Sequence, residues 1–113
     1  MIKRTSPVRD MENVRGGKGP VHADDFATLE ETFGHLRLFS RFLLPPGSSI
    51  GYHTHDTDME YYYILSGTAT VNDNGEITTM GPGEVMVTRD GAGHDITNCT
   101  DEPLEFMAVV VNA

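Results

Sequence analysis

The chain has 113 residues, the usual size of one domain and too short for two ordinary ones. Apolar residues make up 38% and charged residues 22%, with no low-complexity tract, a composition that fits a folded globule and excludes disorder. Seventeen acidic residues against eight basic ones give a net charge of −9, which repels phosphate backbones and anionic bilayers and sets nucleic acid aside as a partner.

Residues 1–21 read as an arm. Pro7 and the run Arg15-Gly16-Gly17-Lys18-Gly19-Pro20 punctuate it, and neither helical nor strand periodicity shows. The arm is expected either to trail as a flexible tail or to wrap a barrel opening, its own or a partner's. Residues 24–33 carry an acidic first turn and place Phe26, Leu29 and Phe33 on one helical face, which predicts a short helix ended by Gly34.

Beyond residue 35 the texture is that of strands. His35–Leu44 alternates, with Leu36, Leu38, Phe42 and Leu44 on one face and Arg37 and Arg41 on the other. Pro45-Pro46-Gly47 stops it. Residues 60–65, 68–72, 76–80, 85–89 and 104–111 are short, rich in β-branched or aromatic residues and bounded by turn residues. Asp73-Asn74-Gly75 is a hairpin signal, because Asn and Gly tolerate the positive φ of a tight turn. Many short strands without a fixed repeat predict an all-β sandwich or barrel.

The chemistry concentrates in the histidines. His53 and His55 flank Thr54, so on a strand both imidazoles take the same face. Glu60 follows after the polar bend Asp56-Thr57-Asp58, and His94 lies in the turn-rich stretch Gly91-Ala92-Gly93-His94. Three imidazoles and one carboxylate suit one divalent transition metal: Mn, Fe, Co, Ni or Zn. No thiolate accompanies them, so a closed zinc site of the cysteine type is not expected.

The glycines around these residues sharpen the reading. Gly47, His53, His55, Glu60 and Gly67 fit G-x5-H-x-H-x3,4-E-x6-G, and Gly83, Gly91, His94 and Asn98 fit G-x5-P-x-G-x2-H-x3-N, with Arg89 where that pattern has proline. The stretch from residue 35 to 111 thereby resembles the cupin superfamily. The resemblance implies a double-stranded β-helix, a jelly-roll-like barrel of two antiparallel sheets. It also implies metal ligation by His53, His55, Glu60 and His94. Residues 1–113 are then expected to form a single cupin domain with an N-terminal arm. Cupins with this ligand set include oxalate decarboxylases and oxidases, dioxygenases, sugar isomerases and small lyases.

Remaining residues divide between plain and functional roles. Tyr62 and Ile64 share the face of Glu60 while Tyr61 and Tyr63 face away, which makes Tyr62 either a catalytic pocket wall or a core residue. Arg37 and Arg41 either enter the barrel to hold an anion or face solvent. Arg89 is expected in solvent rather than at the pocket mouth, and Asn98 is expected to tie a turn. His22 and His35 read as ordinary surface or structural histidines, Met80, Met86 and Met107 as core fillers, and Cys99 as a buried thiol rather than a nucleophile.

With a single cysteine no intrachain disulfide forms, the N-terminal residues lack a signal-peptide stretch, and the longest apolar run, Phe106–Val111, is far below a membrane span. The expectation is a cytoplasmic homodimer joined partly through the arm, with no membrane partner. Its function is expected to be that of a metal-dependent enzyme acting on a small carboxylate, hydroxy or keto acid, or sugar acid. A non-catalytic binding or sensor module is the alternative.

Overall fold

In the computed structural model, which describes residues 1–113, the Asn74-Gly75 pair makes the turn its chemistry dictates. Asp73 faces Glu76 across a two-residue loop, and both loop residues have positive φ, 49° and 99°. The strands are β1 (Val8–Glu12), β2 (Pro20–Asp25), β3 (Leu36–Leu44), β4 (Ser49–Thr54), β5 (Asp58–Ser66), β6 (Ala69–Asp73), β7 (Glu76–Met80), β8 (Val85–Thr88), β9 (Gly93–Thr97) and β10 (Leu104–Asn112). One sheet has the order β1-β2-β3-β10-β5-β8 and the other β4-β9-β6-β7. Every pairing is antiparallel, and the two sheets form the double-stranded β-helix.

Alternation places the core between the sheets. Leu104, Phe106, Ala108 and Val110 of β10 point inward beside Ser40, Phe42 and Leu44 of β3 and Glu60, Tyr62 and Ile64 of β5. The Phe42 and Phe106 rings stack at 5.4 Å, and Ile50, Val71 and Ile96 close the core from the second sheet. Burying each large apolar side chain contributes roughly 1.5–3 kcal/mol. An exposed ion pair contributes about 0–1 kcal/mol, so the core holds the barrel and the surface pairs only trim it.

The arm is more ordered than its composition suggests. Residues 8–12 and 20–25 form a hairpin that extends the larger sheet, with a 3-10 turn at Val14–Gly16 between its strands. Val21 and Ala23 belong to the buried core. The strand periodicity is hidden because only these two positions carry apolar residues that are buried. Backbone contact does the rest: a Cβ on Gly17 would overlap the Ser49 carbonyl oxygen, and a Cβ on Gly51 would overlap that of Arg15.

The helix expected over 24–33 is absent. Asp24 and Asp25 belong to β2, where Asp24 pairs with Arg41 and Asp25 with Arg9 and Ser40. A capping box does form, with reciprocal Thr28–Glu31 bonds of 3.0 and 3.1 Å, but the chain turns once and leaves through Phe33 and Gly34 at positive φ. Leu29 and Phe33 meet no surface and stay exposed, so the apolar stripe has nothing to bury it. Two smaller expectations also fail. Met107 lies on the outer face of β10, half-buried, and Cys99 is exposed in the turn after β9.

Asp25 fastens the arm. The Arg9 guanidinium grips its carboxylate at 2.6 and 2.8 Å, and Ser40 Oγ donates at 2.6 Å. The Arg9 hydrogen bond holds the carboxyl below its ordinary value of 3.8, against partial burial, with Ser40 assisting. A depressed carboxyl contributes stability above its unfolded pKa and loses it as pH falls through the folded one. Amide exchange protection of β1 should therefore hold from pH 7 to 5 and drop below about pH 4. Asp25→Asn should lower that protection at pH 7 and flatten its pH dependence.

Candidate metal centre

The two sheets meet at one polar cluster. His53 on β4 lies directly across from His94 on β9, Glu60 rises from β5 in the opposite sheet, and His55 sits just past the end of β4. The expected placement of His94 in a turn is corrected, since its strand pairs with both β4 and β6. His94, His55 and Glu60 are buried and His53 is nearly so.

The donor atoms converge. Glu60 Oε1 lies 2.9 Å from His94 Nε2, 3.1 Å from His55 Nε2 and 3.6 Å from His53 Nε2. His94 Nε2 is 3.1 Å from His53 Nε2 and 3.3 Å from His55 Nε2. Ligands about 2.1 Å from an ion lie about 3.0 Å apart at the corners of an octahedron and about 3.4 Å apart in a tetrahedron. The observed spacings of 2.9–3.6 Å span these values, so the four residues are arranged as a possible metal site.

Each imidazole is aimed from behind. His53 Nδ1 donates to the Gly51 carbonyl at 2.8 Å, His55 Nδ1 to Asp58 Oδ1 at 2.7 Å, and His94 Nδ1 shares a 2.7 Å hydrogen bond with Thr88 Oγ1. A proton on each Nδ1 would leave three Nε2 lone pairs converging on one point beside Glu60 Oε1, the arrangement a cation requires; without a cation the rings hydrogen-bond that carboxylate instead. Burial alone would push the Glu60 carboxyl up, but the imidazoles of His53, His55 and His94 outweigh it and hold it well below the carboxylate range. Glu60 raises His55, against burial and with Asp58 assisting, whereas burial lowers His94. A divalent ion at such a cluster acts as a Lewis acid and lowers the pKa of bound water.

Asp58 is the residue that sequence reasoning undervalued. Read as part of a polar bend, it is 9% exposed and bridges the His55 ring to Arg37. An aspartate three residues after a ligand-type histidine, where the next strand begins, was the available signal. Thr88 plays the matching part for His94, and nothing in its sequence context singled it out.

The other candidates separate. Tyr62 is buried, its ring stacked on His94 at 4.5 Å and 11°, and it lines a cavity of about 300 Å³ together with His53, His55 and Glu60. It is pocket wall and core at once. Burial, then the Glu60 charge, raise its phenol well above the ordinary value of 10.0. Arg41 faces outward onto Asp24, whereas Arg37, at the bulge where β3 slips against β10, reaches the cavity rim. Arg89 lies in solvent beside Asp90. Asn98 is fully buried and ties its turn by donating to the Leu44 and Glu102 carbonyls.

Of the two alternatives for the arm, the structure shows the wrapped one: Arg9, Met11, Val14 and Arg15 line the same cavity. Arg15 has φ 55° and ψ 30°, a left-handed conformation that costs a non-glycine residue about 1–2 kcal/mol. The Gly17–Gly51 contact holds it there.

A barrel of this topology, two antiparallel sheets closing on one polar cluster, is the cupin fold. The chain belongs to the cupin family: the cupin domain model matches residues 40–110. It is 40% identical to the oxalate-binding protein of Thermotoga maritima over 98% of this chain and 93% of that protein. The crystal structure of a predicted oxalate decarboxylase from Thermotoga maritima superposes with a TM-score of 0.95 at 38% identity, covering 100% of both chains. A shorter likeness, 30% identity over 67% of this chain, joins it to 16% of the mannose-1-phosphate guanylyltransferase ManC of Salmonella typhimurium.

Asp58→Asn tests the aiming of the rings. Losing the carboxylate behind His55 should weaken Mn²⁺ or Co²⁺ binding about 10–100-fold, measured by competition with a chelator, while the β-sheet circular dichroism stays unchanged.

Proposed function

We propose that the protein holds one divalent transition metal, among Mn, Fe, Co, Ni and Zn, on His53, His55, Glu60 and His94. Through it, the protein binds and transforms a small oxygen-rich molecule: a carboxylate, hydroxy or keto acid, or sugar acid. The observation that carries this reading is the set of three Nε2 atoms turned on Glu60 Oε1, each ring fixed by a hydrogen-bond partner behind it. Four protein ligands leave about two of six octahedral positions for water or a chelating substrate. The oxalate-binding relative supports a carboxylate ligand. Tyr62 is the group we assign to proton transfer. Its ring stacks on His94 and lines the cavity with His53, His55 and Glu60, and a phenol is protonated at neutral pH, so it serves as a proton or hydrogen-bond donor rather than a base.

A second reading, a binding module without turnover, is favoured by the name of that same relative and by the lack of a second free carboxylate in the cavity. One experiment separates the two. Metal-loaded protein is titrated with oxalate and other small carboxylates, and products are followed. The enzyme reading predicts product that disappears in His94→Ala with the fold intact. Tight binding with no product leaves the module.

We also propose that residues 1–113 act as one cupin unit in the cytoplasm and pair as a homodimer. β1 and β8 are edge strands, so the arm hairpin offers an open edge to a second copy. On the outer face of the larger sheet, Phe39, Val109, Tyr61 and Val87 lie in one cross-strand row, and three of the four are exposed. Light scattering at micromolar concentration should give twice the chain mass of 12.4 kDa, and a monomeric mass overturns the pairing.

A further inference from the structure

A turn of the arm and a ligand-type histidine meet on opposite sides of Gly51. Ile50 pairs with Ile96 and His53 with His94, so Gly51 and Tyr52 form a bulge in β4 with no register partner on β9. The Gly51 carbonyl accepts from His53 Nδ1 at 2.8 Å. The other side of Gly51 lies against the arm. A Cβ there would overlap the Arg15 carbonyl oxygen and crowd the Gly17 nitrogen at 2.9 Å. A Cβ on Gly17 would overlap the Ser49 carbonyl oxygen and crowd the Gly51 nitrogen at 2.8 Å. Backbone rests on backbone, with no side chain between to absorb a shift. Lys18 adds two bonds: its N–H donates to Ser49 Oγ at 2.9 Å, and its carbonyl accepts from the Ser49 N–H at 2.8 Å.

The turn is seated against opposing costs. Asn13 and Arg15 are left-handed, and the Ser48 hydroxyl is buried against Gly19 with no partner in the protein. An element held by few contacts against such costs opens more readily than the sheet it covers. We propose that residues 13–19 are a positioning element for His53: seated on β4, they fix the Gly51 carbonyl and through it the direction of the His53 ring. Gly17 is the positioning residue, because its missing side chain is what lets the turn seat. The coupling is reciprocal, so an ion that holds His53 favours the seated turn by the same factor. The proposal rests on the metal-bound reading above and deepens it, by tying metal affinity to a segment that supplies no ligand.

Two substitutions in the full chain separate contact from strain. Gly17 has φ −73°, which any residue adopts, so Gly17→Ala disturbs only the contact with β4. Gly16 has φ 78° and a Cβ there meets nothing within 4 Å, so Gly16→Ala strains the backbone and spares the contact. Nitrogen-15 NMR of the metal-free protein reads each imidazole, chelator competition reads Mn²⁺ affinity, and amide exchange by mass spectrometry reads residues 13–19. Gly17→Ala should speed that exchange, shift the His53 ring nitrogens more than those of His55 and His94, and weaken Mn²⁺ about tenfold with β-sheet circular dichroism unchanged. Ser49→Ala, which removes the acceptor for the Lys18 N–H, should act in the same direction to a smaller degree. Gly16→Ala should move neither the His53 signals nor the affinity. In the unmodified protein, bound Mn²⁺ should slow exchange across residues 13–19. Unmoved His53 signals and affinity in Gly17→Ala, equal effects of Gly16→Ala, or no slowing by bound Mn²⁺ overturns the coupling and leaves the metal reading intact. If the unmodified protein binds no Mn²⁺, the metal reading falls, and the metal-free His53 signals alone decide the turn: shifted in Gly17→Ala they uphold its grip on the ring, unshifted they overturn it.

Discussion

Three nitrogen lone pairs and one carboxylate oxygen are forced onto a single point, and much of this fold exists to keep them there. His53 and His94 are cross-strand partners in the smaller sheet, while Glu60 belongs to the larger. The barrel must therefore close to within a few tenths of an ångström for the four donors to lie 2.9–3.6 Å apart. No ring finds its direction alone: a backbone carbonyl, a carboxylate and a hydroxyl each fix one. Burying a carboxylate is costly unless it is partnered, and the three imidazoles that hydrogen-bond Glu60 are the same groups that would share a cation with it.

The arm completes the same site. Its hairpin adds two strands to the larger sheet, buries Val21 and Ala23 in the core, and brings four residues to the cavity wall. It docks against β4 through glycine backbone. The carbonyl of Gly51 meanwhile accepts the His53 Nδ1 proton. One glycine thus carries the arm on one side and a ligand-type histidine on the other.

The barrel and the four donor residues were legible because each left a mark independent of burial: the Asn-Gly turn, the alternating strands, the His-x-His pair and the glycines spaced around it. The arm was not legible. Its first strand is mostly exposed, its second carries only two buried apolar residues among polar ones, and its attachment depends on glycines that in a sequence read only as flexibility. The short helix does not form because periodicity at Phe26, Leu29 and Phe33 says nothing about whether a surface lies opposite; only Phe26 has one, edge-on to Phe39 at 5.7 Å. Asp58 and Thr88 escaped notice since their importance is relational. Each matters only through the ring it holds.

Tyr62 links the site to the interior. Its ring lies 4.5 Å from that of His94 and 4.9 Å from that of Phe106, which in turn stacks on Phe42. A chain of four rings thus runs from the ligand cluster into the core and returns at Phe42 to the wall of the same cavity. Close-packed interiors transmit displacement rather than absorb it. The position of His94 is therefore set in part by aromatic residues that offer no metal ligand. Changes at Phe42 or Phe106 that leave the barrel folded still reach the site, by tilting the ring on which His94 rests.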